Sequence, residues 1–345
     1  VLVFVSARLV GAGREGAAVA VMSINFDLRH PAEFSVSGAD LYRAALDMCQ
    51  WADERGFSRV GLGEHHQSPD GYIPAPLLFA SAVGACTKRI RVRCSVLLAV
   101  LYDPIRLAEE IAVADLCLGG RLDVGLGVGY VEADFAAFGK DYRTRGAALD
   151  ELIPLLRRAW TGEPFEYRGT TVRVSPRPVQ DPMPIYVGGA SRRGVERAVE
   201  LADGYFPPGM PAGWKRFRAL TVGAGRPDPG EYPASGPIFL WVTDQPKDRV
   251  WEELAPHIRH QVHSYAGWTE AAYGERRGPF VASRDVESLR QGGAYEVMNP
   301  DEAIALVHEL GPQGRLSLNP LLAGISPTKA WAMLDLFDRE VLSAS

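Results

Sequence analysis

Three ionisable side chains, Glu64, His65 and His66, stand together just after a short apolar run at residues 60–62. Such a trio is costly at the mouth of a buried strand unless it faces a polar cavity or is mutually paired. A histidine placed there can donate or accept a proton near neutral pH, because its unperturbed pKa is about 6.5. A half-exposed histidine pair satisfied by its neighbours is the plainer alternative, and the triplet alone leaves both open. Two glycine-rich stretches offer a second kind of chemistry. Gly125-x-Gly127-x-Gly129 lets the backbone approach a flat ligand without an intervening Cβ, although tight packing of strand on helix uses glycines equally. In Gly188-Gly189-Ala190-Ser191-Arg192-Arg193-Gly194 a glycine turn enters a helix. Free N–H groups, the Ser191 hydroxyl and two arginines at such a place suit a phosphate. A capped helix with solvated arginines accounts for the same letters.

The elements that must position these residues alternate along the chain. The pattern predicts a strand over 22–27 and a loop carrying Arg29, His30 and Pro31. A helix over 40–55 follows, with Leu41, Ala45, Met48 and Ala52 on one face. Gly56 ends that helix before the 60–62 strand. A helix over 75–87, a strand over 91–98 and a helix from Pro104 to the Gly119-Gly120 stop come next. A strand over 122–126 and a helix over 144–160 complete the first half. A small hairpin is expected at 165–174 around Arg168-Gly169, then a stiff connector with Pro176, Pro178, Pro182 and Pro184. Further strands are expected at 185–188, 205–206, 238–242 and 316–322, with helices over 192–202 and 328–342. Leu334, Phe337 and Val341 face inward in the last helix. Eight strands with intervening helices indicate an α/β fold, a (β/α)8 TIM barrel with insertions, over an open doubly wound sheet. In such a barrel the strand C-termini gather Glu64, His65, His66 and both glycine stretches at one end. The span 255–295 is poorly periodic and reads as a long loop, either functional or disordered.

Composition narrows the function classes. The 345 residues are 47% hydrophobic with a formal charge of −5, which argues against a nucleic-acid or anionic-membrane surface. No run of eighteen apolar residues occurs, so no membrane-spanning helix is expected. Cys49, Cys86, Cys94 and Cys117 lack CxxC spacing and read as buried free thiols, which fits a cytoplasmic setting. Residues 1–21 place an apolar run before their arginines, the reverse of a signal peptide, and are expected to be a disordered N-terminal extension. Residues 22–345 are then one domain. A zinc hydrolase is disfavoured, because adjacent histidines do not ligate one ion in the HxxxH or HxH manner.

From Met22 onward the chain resembles the bacterial luciferase-like, flavin-dependent monooxygenases. The matching pieces stand in order: GFSRVGLGEHH, TKRIRV, DPIRLAEEIAVADLCLGGRLDVGLGVGY, FAAFGKDYRTRGAALDE, PIYVGGAS and NPLLAGISPTKAWAMLDLF. The resemblance implies a monooxygenase on a (β/α)8 barrel, in which reduced FMN and O2 form a C4a-peroxyflavin that oxygenates a small organic substrate. It implies His65 as the residue that steadies the oxygenated flavin, Glu64 as its orienting partner and His66 as a lesser catalytic neighbour. It implies a non-prolyl cis peptide at Ser95-Val96 against the flavin ring, with Gly127 and Val128 nearby. In luciferase an arginine and a cysteine occupy the places of Val128 and Gly127. The phosphate site would then be Gly189, Ser191, Gly194 and Arg145, with Arg192 or Arg193 supplying charge. It further implies a separate NAD(P)H:flavin reductase, an active-site lid within 255–295, and a homodimer through the helices over 75–87 and 104–118. Ala80, Ala82, Gly84, Ala108, Ala112 and Ala114 would allow close approach there. Tyr102, Phe206, Trp241 and Tyr265 are expected to line an apolar substrate pocket. An F420-dependent hydride transfer on the same barrel, or a catalytically silent flavin-binding protein, are the alternatives.

Overall fold

The computed structural model describes residues 20–207, 211–276 and 286–344. Strands β1 (Val21–Phe26), β2 (Arg59–Leu62), β3 (Arg91–Leu97), β4 (Leu122–Leu126), β7 (Ile185–Gly188), β8 (Gly204–Phe206) and β11 (Arg315–Leu318) form one parallel sheet, in the order β11-β1-β2-β3-β4-β7-β8. The antiparallel hairpin of β5 (Phe165–Tyr167) and β6 (Thr170–Val172) lies outside it, as expected. Between the strands run α1 (Gly38–Glu54), α2 (Pro76–Cys86), α3 (Pro104–Cys117), α4 (Glu132–Ala137), α5 (Arg145–Ala159) and α6 (Arg192–Leu201). They are followed by α7 (Pro211–Gly223), α8 (Lys247–Tyr273), α9 (Val286–Gln291), α10 (Pro300–Leu310) and α11 (Pro327–Leu336). The closing helix continues through a π turn at Phe337–Leu342, and Leu334, Phe337 and Val341 are buried.

Local chemistry explains the starts of these elements. Ser37 caps α1 by accepting from Asp40 N, and Asp103 caps α3 by accepting from Ile105 N and Arg106 N. Pro104 and Pro300 occupy the first turn, where a missing N–H costs nothing. Asp53, near the end of α1, accepts from Lys88, Arg89 and Ile90 N, and so fixes the entry into β3.

Several expectations are corrected. Among the described residues nine parallel strands form instead of eight, and not in one ladder. β9 (Phe239–Val242) pairs with β10 (Tyr295–Met298), and loop bonds tie this pair to β11: Gly236 N to Arg315 O, and Asn319 Nδ2 to Ile238 O at 2.7 Å. The span 255–295 is helical as far as Tyr273, because Val250, Trp251, Leu254, Ile258, Gln261, Val262 and Ala266 make a continuous buried stripe at helical spacing. Residues 277–285 of the expected lid lie outside the described residues, as do residues 1–19. Ala20 is already buried and Val21 pairs with Arg315, so the domain takes in the last two residues of the expected extension. Of the small residues expected at a dimer face, Ala80, Ala108, Ala112 and Ala114 are buried inside the subunit, Gly84 abuts the Cys117 carbonyl and Ala82 is half-buried. Leu78, Val113 and Leu116 are the exposed apolar side chains of α2 and α3. The four thiols are free, but Cys117 is exposed and Cys86 half-buried, since each lies on the outer side of its helix end.

Candidate active site

At the C-terminal end of β2 successive side chains turn to opposite sides, and this separates the trio. Glu64 is buried at 3% exposure and collects three donors. It accepts from Leu98 N at 2.7 Å and from the Tyr102 hydroxyl at 2.8 Å, and its Oε1 lies 2.9 Å from His66 Nε2. The carboxylate therefore orients His66 and ties the β2 loop to the β3 loop. The partnership expected between Glu64 and His65 does not form, because residues two apart share a side and neighbours do not.

His65 instead enters an aromatic enclosure. The Trp268 indole lies flat on its ring at 3.9 Å and 12°. Tyr72, Tyr265 and Tyr130 meet it edge-on, with centroids at 4.8, 5.7 and 5.9 Å. Burial pushes the His65 pKa down to about 3, helped by the positive charge of Arg29 and by His66, with Asp70 opposing. The ring is thus a neutral imidazole at pH 7, and not the partly protonated group that an unperturbed pKa implies.

Arg29, Asp70, Tyr72 and Trp268 build this enclosure, and sequence reasoning assigned none of them to it. Arg29 is fully buried, 4.7 Å from the Tyr72 ring and 5.1 Å from those of Tyr265 and Trp268. Its nearest carboxylates are Asp70 at 3.6 Å and Asp27 at 3.8 Å. Burial would raise the Asp70 pKa, but His260 Nε2 at 2.7 Å, Arg29 and the Ser68 hydroxyl hold it below the usual carboxylate range. Tyr72 and Tyr265 share a hydroxyl contact of 3.1 Å. Trp268 follows Tyr265 by one helical turn of α8, a spacing that was available in the sequence.

The Ser95-Val96 peptide is cis, as expected. Ser95 is exposed at that turn, while the Val96 side chain fills the space a Cβ would need at Gly127 and at Gly188. Within the glycine loop Gly127 seats Val96, and Gly125 seats the Phe206 ring against the Cys94 carbonyl. Val128, beside it, is half-buried against the core.

The turn before α6 behaves differently. Ser191 caps the helix, its Oγ accepting from Gly194 N at 3.0 Å. Arg192 pairs with Glu196 at 2.8 Å, and Arg193 with Glu200 at 2.8 Å and Asp150 at 3.3 Å, all on the outer surface. Their side chains thus pair along the outer surface of the helix. Gly189 has a positive φ of 138° and open space where a Cβ would stand. Arg145, at the head of α5, bonds Tyr142 O and lies over the Tyr142 ring at 3.7 Å, leaving a buried Nε without a partner. Arg197 joins the two helix heads through Gly146 O at 3.0 Å and Asp150 at 2.6 Å.

The expected pocket aromatics scatter. Tyr265 reaches His65 and Tyr102 serves Glu64, whereas Phe206 stacks on Tyr186 and Trp241 stacks on Phe239. Among the described residues no helix is long and apolar enough to cross a membrane.

Comparison with known proteins places this arrangement. The oxygenase component of a flavin-dependent trigonelline monooxygenase from Acinetobacter baylyi is 31% identical over 168 residues, 46% of each chain. An F420-dependent glucose-6-phosphate dehydrogenase from Nakamurella multipartita is 31% identical over 169 residues, 46% of this chain and 50% of that one. The chain thus spans about half the length of the curated relatives it matches. The oxygenating constituent of 3,6-diketocamphane monooxygenase from Pseudomonas putida, solved with FMN, superposes with a TM-score of 0.69 at 18% identity, covering 94% of this chain and 98% of that one. A sequence model described as luciferase-like monooxygenase matches residues 22–302, and the chain belongs to that family.

Proposed function

We propose that this chain is a flavin-dependent monooxygenase that uses reduced FMN and O2 to oxygenate a small organic substrate. The single observation carrying this reading is the neutral, buried His65 within its aromatic enclosure. The named activities of the flavin-dependent and FMN-bound relatives support it.

The residues fit such a cofactor. Ser95-Val96 would back the flavin ring. The phosphate would meet the open Gly189 turn, the Ser191 hydroxyl and the backbone N–H groups of Arg192 and Arg193, since that of Gly194 is taken by Ser191. Arg145, with its unpartnered Nε, is the cation for this end. When bound, the reduced flavin supplies the electrons that activate O2. His65 keeps one ring N–H and one lone pair for hydrogen bonds at the reacting edge. Tyr72, Tyr265 and Trp268 exclude water there. Trp268 occupies the face of His65, so admitting substrate requires the last turns of α8 to shift, and these turns serve as the lid. The β9–β10 pair completes the barrel beside β11. A cytoplasmic homodimer through Leu78, Val113 and Leu116, fed by a separate NAD(P)H:flavin reductase, fits the same reading.

The F420-dependent relative supports a second reading, hydride transfer without O2. Fluorescence titration with FMN and with F420, followed by O2 uptake with a flavin reductase and candidate substrates, separates the two. FMN binding with an oxygenated product is the expected result. F420 binding without FMN binding moves the reading to hydride transfer, and flavin binding without any product moves it to a silent carrier.

A further inference from the structure

At the end of the sheet opposite His65, Arg59, Arg91 and Arg93 gather around one carboxylate, Asp123, and Arg315 stands close enough to repel Arg59 and Arg93. Arg59, Arg91 and Arg315 each open a parallel strand, and Arg93 lies across from Asp123 in the ladder. Arg91 is fully employed. Its Nε and Nη2 reach Asp123 Oδ1 at 2.9 and 2.7 Å, and it also donates to Gly120 O at 3.2 Å and Gln180 Oε1 at 3.1 Å. The others are not. Arg59 Nε stands 3.9 Å and Arg93 Nη2 3.7 Å from Asp123 Oδ2, beyond hydrogen-bond reach. The Nε atoms of both are buried without a partner, and Arg59 is only 7% exposed.

Among the described residues, Asp123 is the carboxylate that faces this cluster, so four positive charges meet one negative. Burial, then Arg59 and Arg315, push the Arg93 pKa down to about 9, and burial likewise lowers Arg59 and Arg315. Arg93 has partial relief from the Phe206 ring, 4.1 Å from its guanidinium. Charges collected this way are unfavourable unless something anionic joins them. Guanidinium forks match the oxygens of phosphate in geometry as well as in charge.

We propose that the N-terminal end of the sheet binds a tetrahedral oxyanion of the phosphate class among Arg59, Arg93 and Arg315, with Arg91 and Asp123 as its fixed frame. This site is separate from the turn at Ser191, and it stands whether or not the flavin reading does.

Isothermal titration of the full chain with inorganic phosphate, glycerol 3-phosphate and acetate at matched ionic strength tests it. Saturable binding of a phosphate-class ion is expected, with acetate weaker. Tighter binding of phosphate assigns the site to the free ion, and tighter binding of the ester assigns it to a phosphorylated metabolite. Arg315→Gln should weaken binding about tenfold, as for loss of one charge-assisted hydrogen bond. Arg315→Lys should recover part of it. Absence of saturable binding in the folded wild type overturns the proposal. So does binding that survives Arg315→Gln and is lost in Ser191→Ala, or acetate binding as tight as phosphate.

Discussion

Around His65 the partners come from distant stretches of chain: Tyr72 from the β2 loop, Tyr130 from the β4 loop, Tyr265 and Trp268 from α8, and Arg29 from the end of β1. Around Ser191 most come from within a few residues, Gly194 for the serine, Glu196 for Arg192 and Glu200 for Arg193, with Asp150 of α5 the distant partner of Arg193. The first region is dry, and its histidine is held neutral far below its ordinary pKa. The second is wet, and its arginines pair on the surface, where such pairs contribute little. Residue type alone made the two look alike. The difference is burial, which turns a common side chain into one with altered chemistry and leaves the exposed arginines ordinary.

The comparison breaks most visibly at Glu64. Its carboxylate serves Leu98 N, the Tyr102 hydroxyl and His66, so Glu64→Ala leaves buried donors unmet. A loss of roughly 3 kcal/mol in urea unfolding is expected, with Glu64→Gln intermediate. A loss below about 1 kcal/mol would show that water replaces the carboxylate and that the region is less dry than described.

Acid titration sharpens the same contrast. The pKa of His65 is about 3 in the folded chain and near 6.5 when unfolded, so between these values the unfolded chain binds the extra proton. The stabilisation from the neutral ring is complete above about pH 6.5. It declines as pH falls, by up to ~1.4 kcal/mol per unit. His65→Gln should flatten the limb between about pH 6 and pH 4 in thermal melts. A limb of unchanged slope would mean that the ring protonates freely in the fold.

Much of the fold was legible because its signals are local. Pro104 marks a helix start, Gly119-Gly120 a stop, and the apolar runs of β2, β4 and β7 their strands. Two local signals passed unread. Asn299 with Pro300 and Glu302 is a capping box that opens α10, and the buried stripe from Val250 to Ala266 spells α8 despite Pro256 and the interspersed His, Gln and Arg. The enclosure itself was not legible, because nothing near Arg29 in sequence says that Tyr265 and Trp268 will close over it. The Glu64–His66 pairing was readable from strand alternation.

The smallest effects belong to the α6 turn. Ser191→Ala should cost about 1 kcal/mol as a lost cap and weaken FMN binding. Arg192→Gln and Arg193→Gln should stay within roughly 0.5 kcal/mol and leave FMN binding near wild type. A large loss of FMN affinity in either arginine variant, read by fluorescence titration, would return the phosphate charge to those side chains.

The most direct measurement compares His65→Ala with His66→Ala in a reductase-coupled assay that follows FMN binding, oxygenated product and hydrogen peroxide together. FMN affinity should hold in the His65 variant while product formation falls by ~10²–10⁴-fold and peroxide release rises, because the hydrogen-bonding imidazole and its enclosure are lost. His66→Ala should fall less, acting through Glu64. Near-native oxygenation by His65→Ala, or an equal loss in both variants, would contradict the placement of the chemistry at His65.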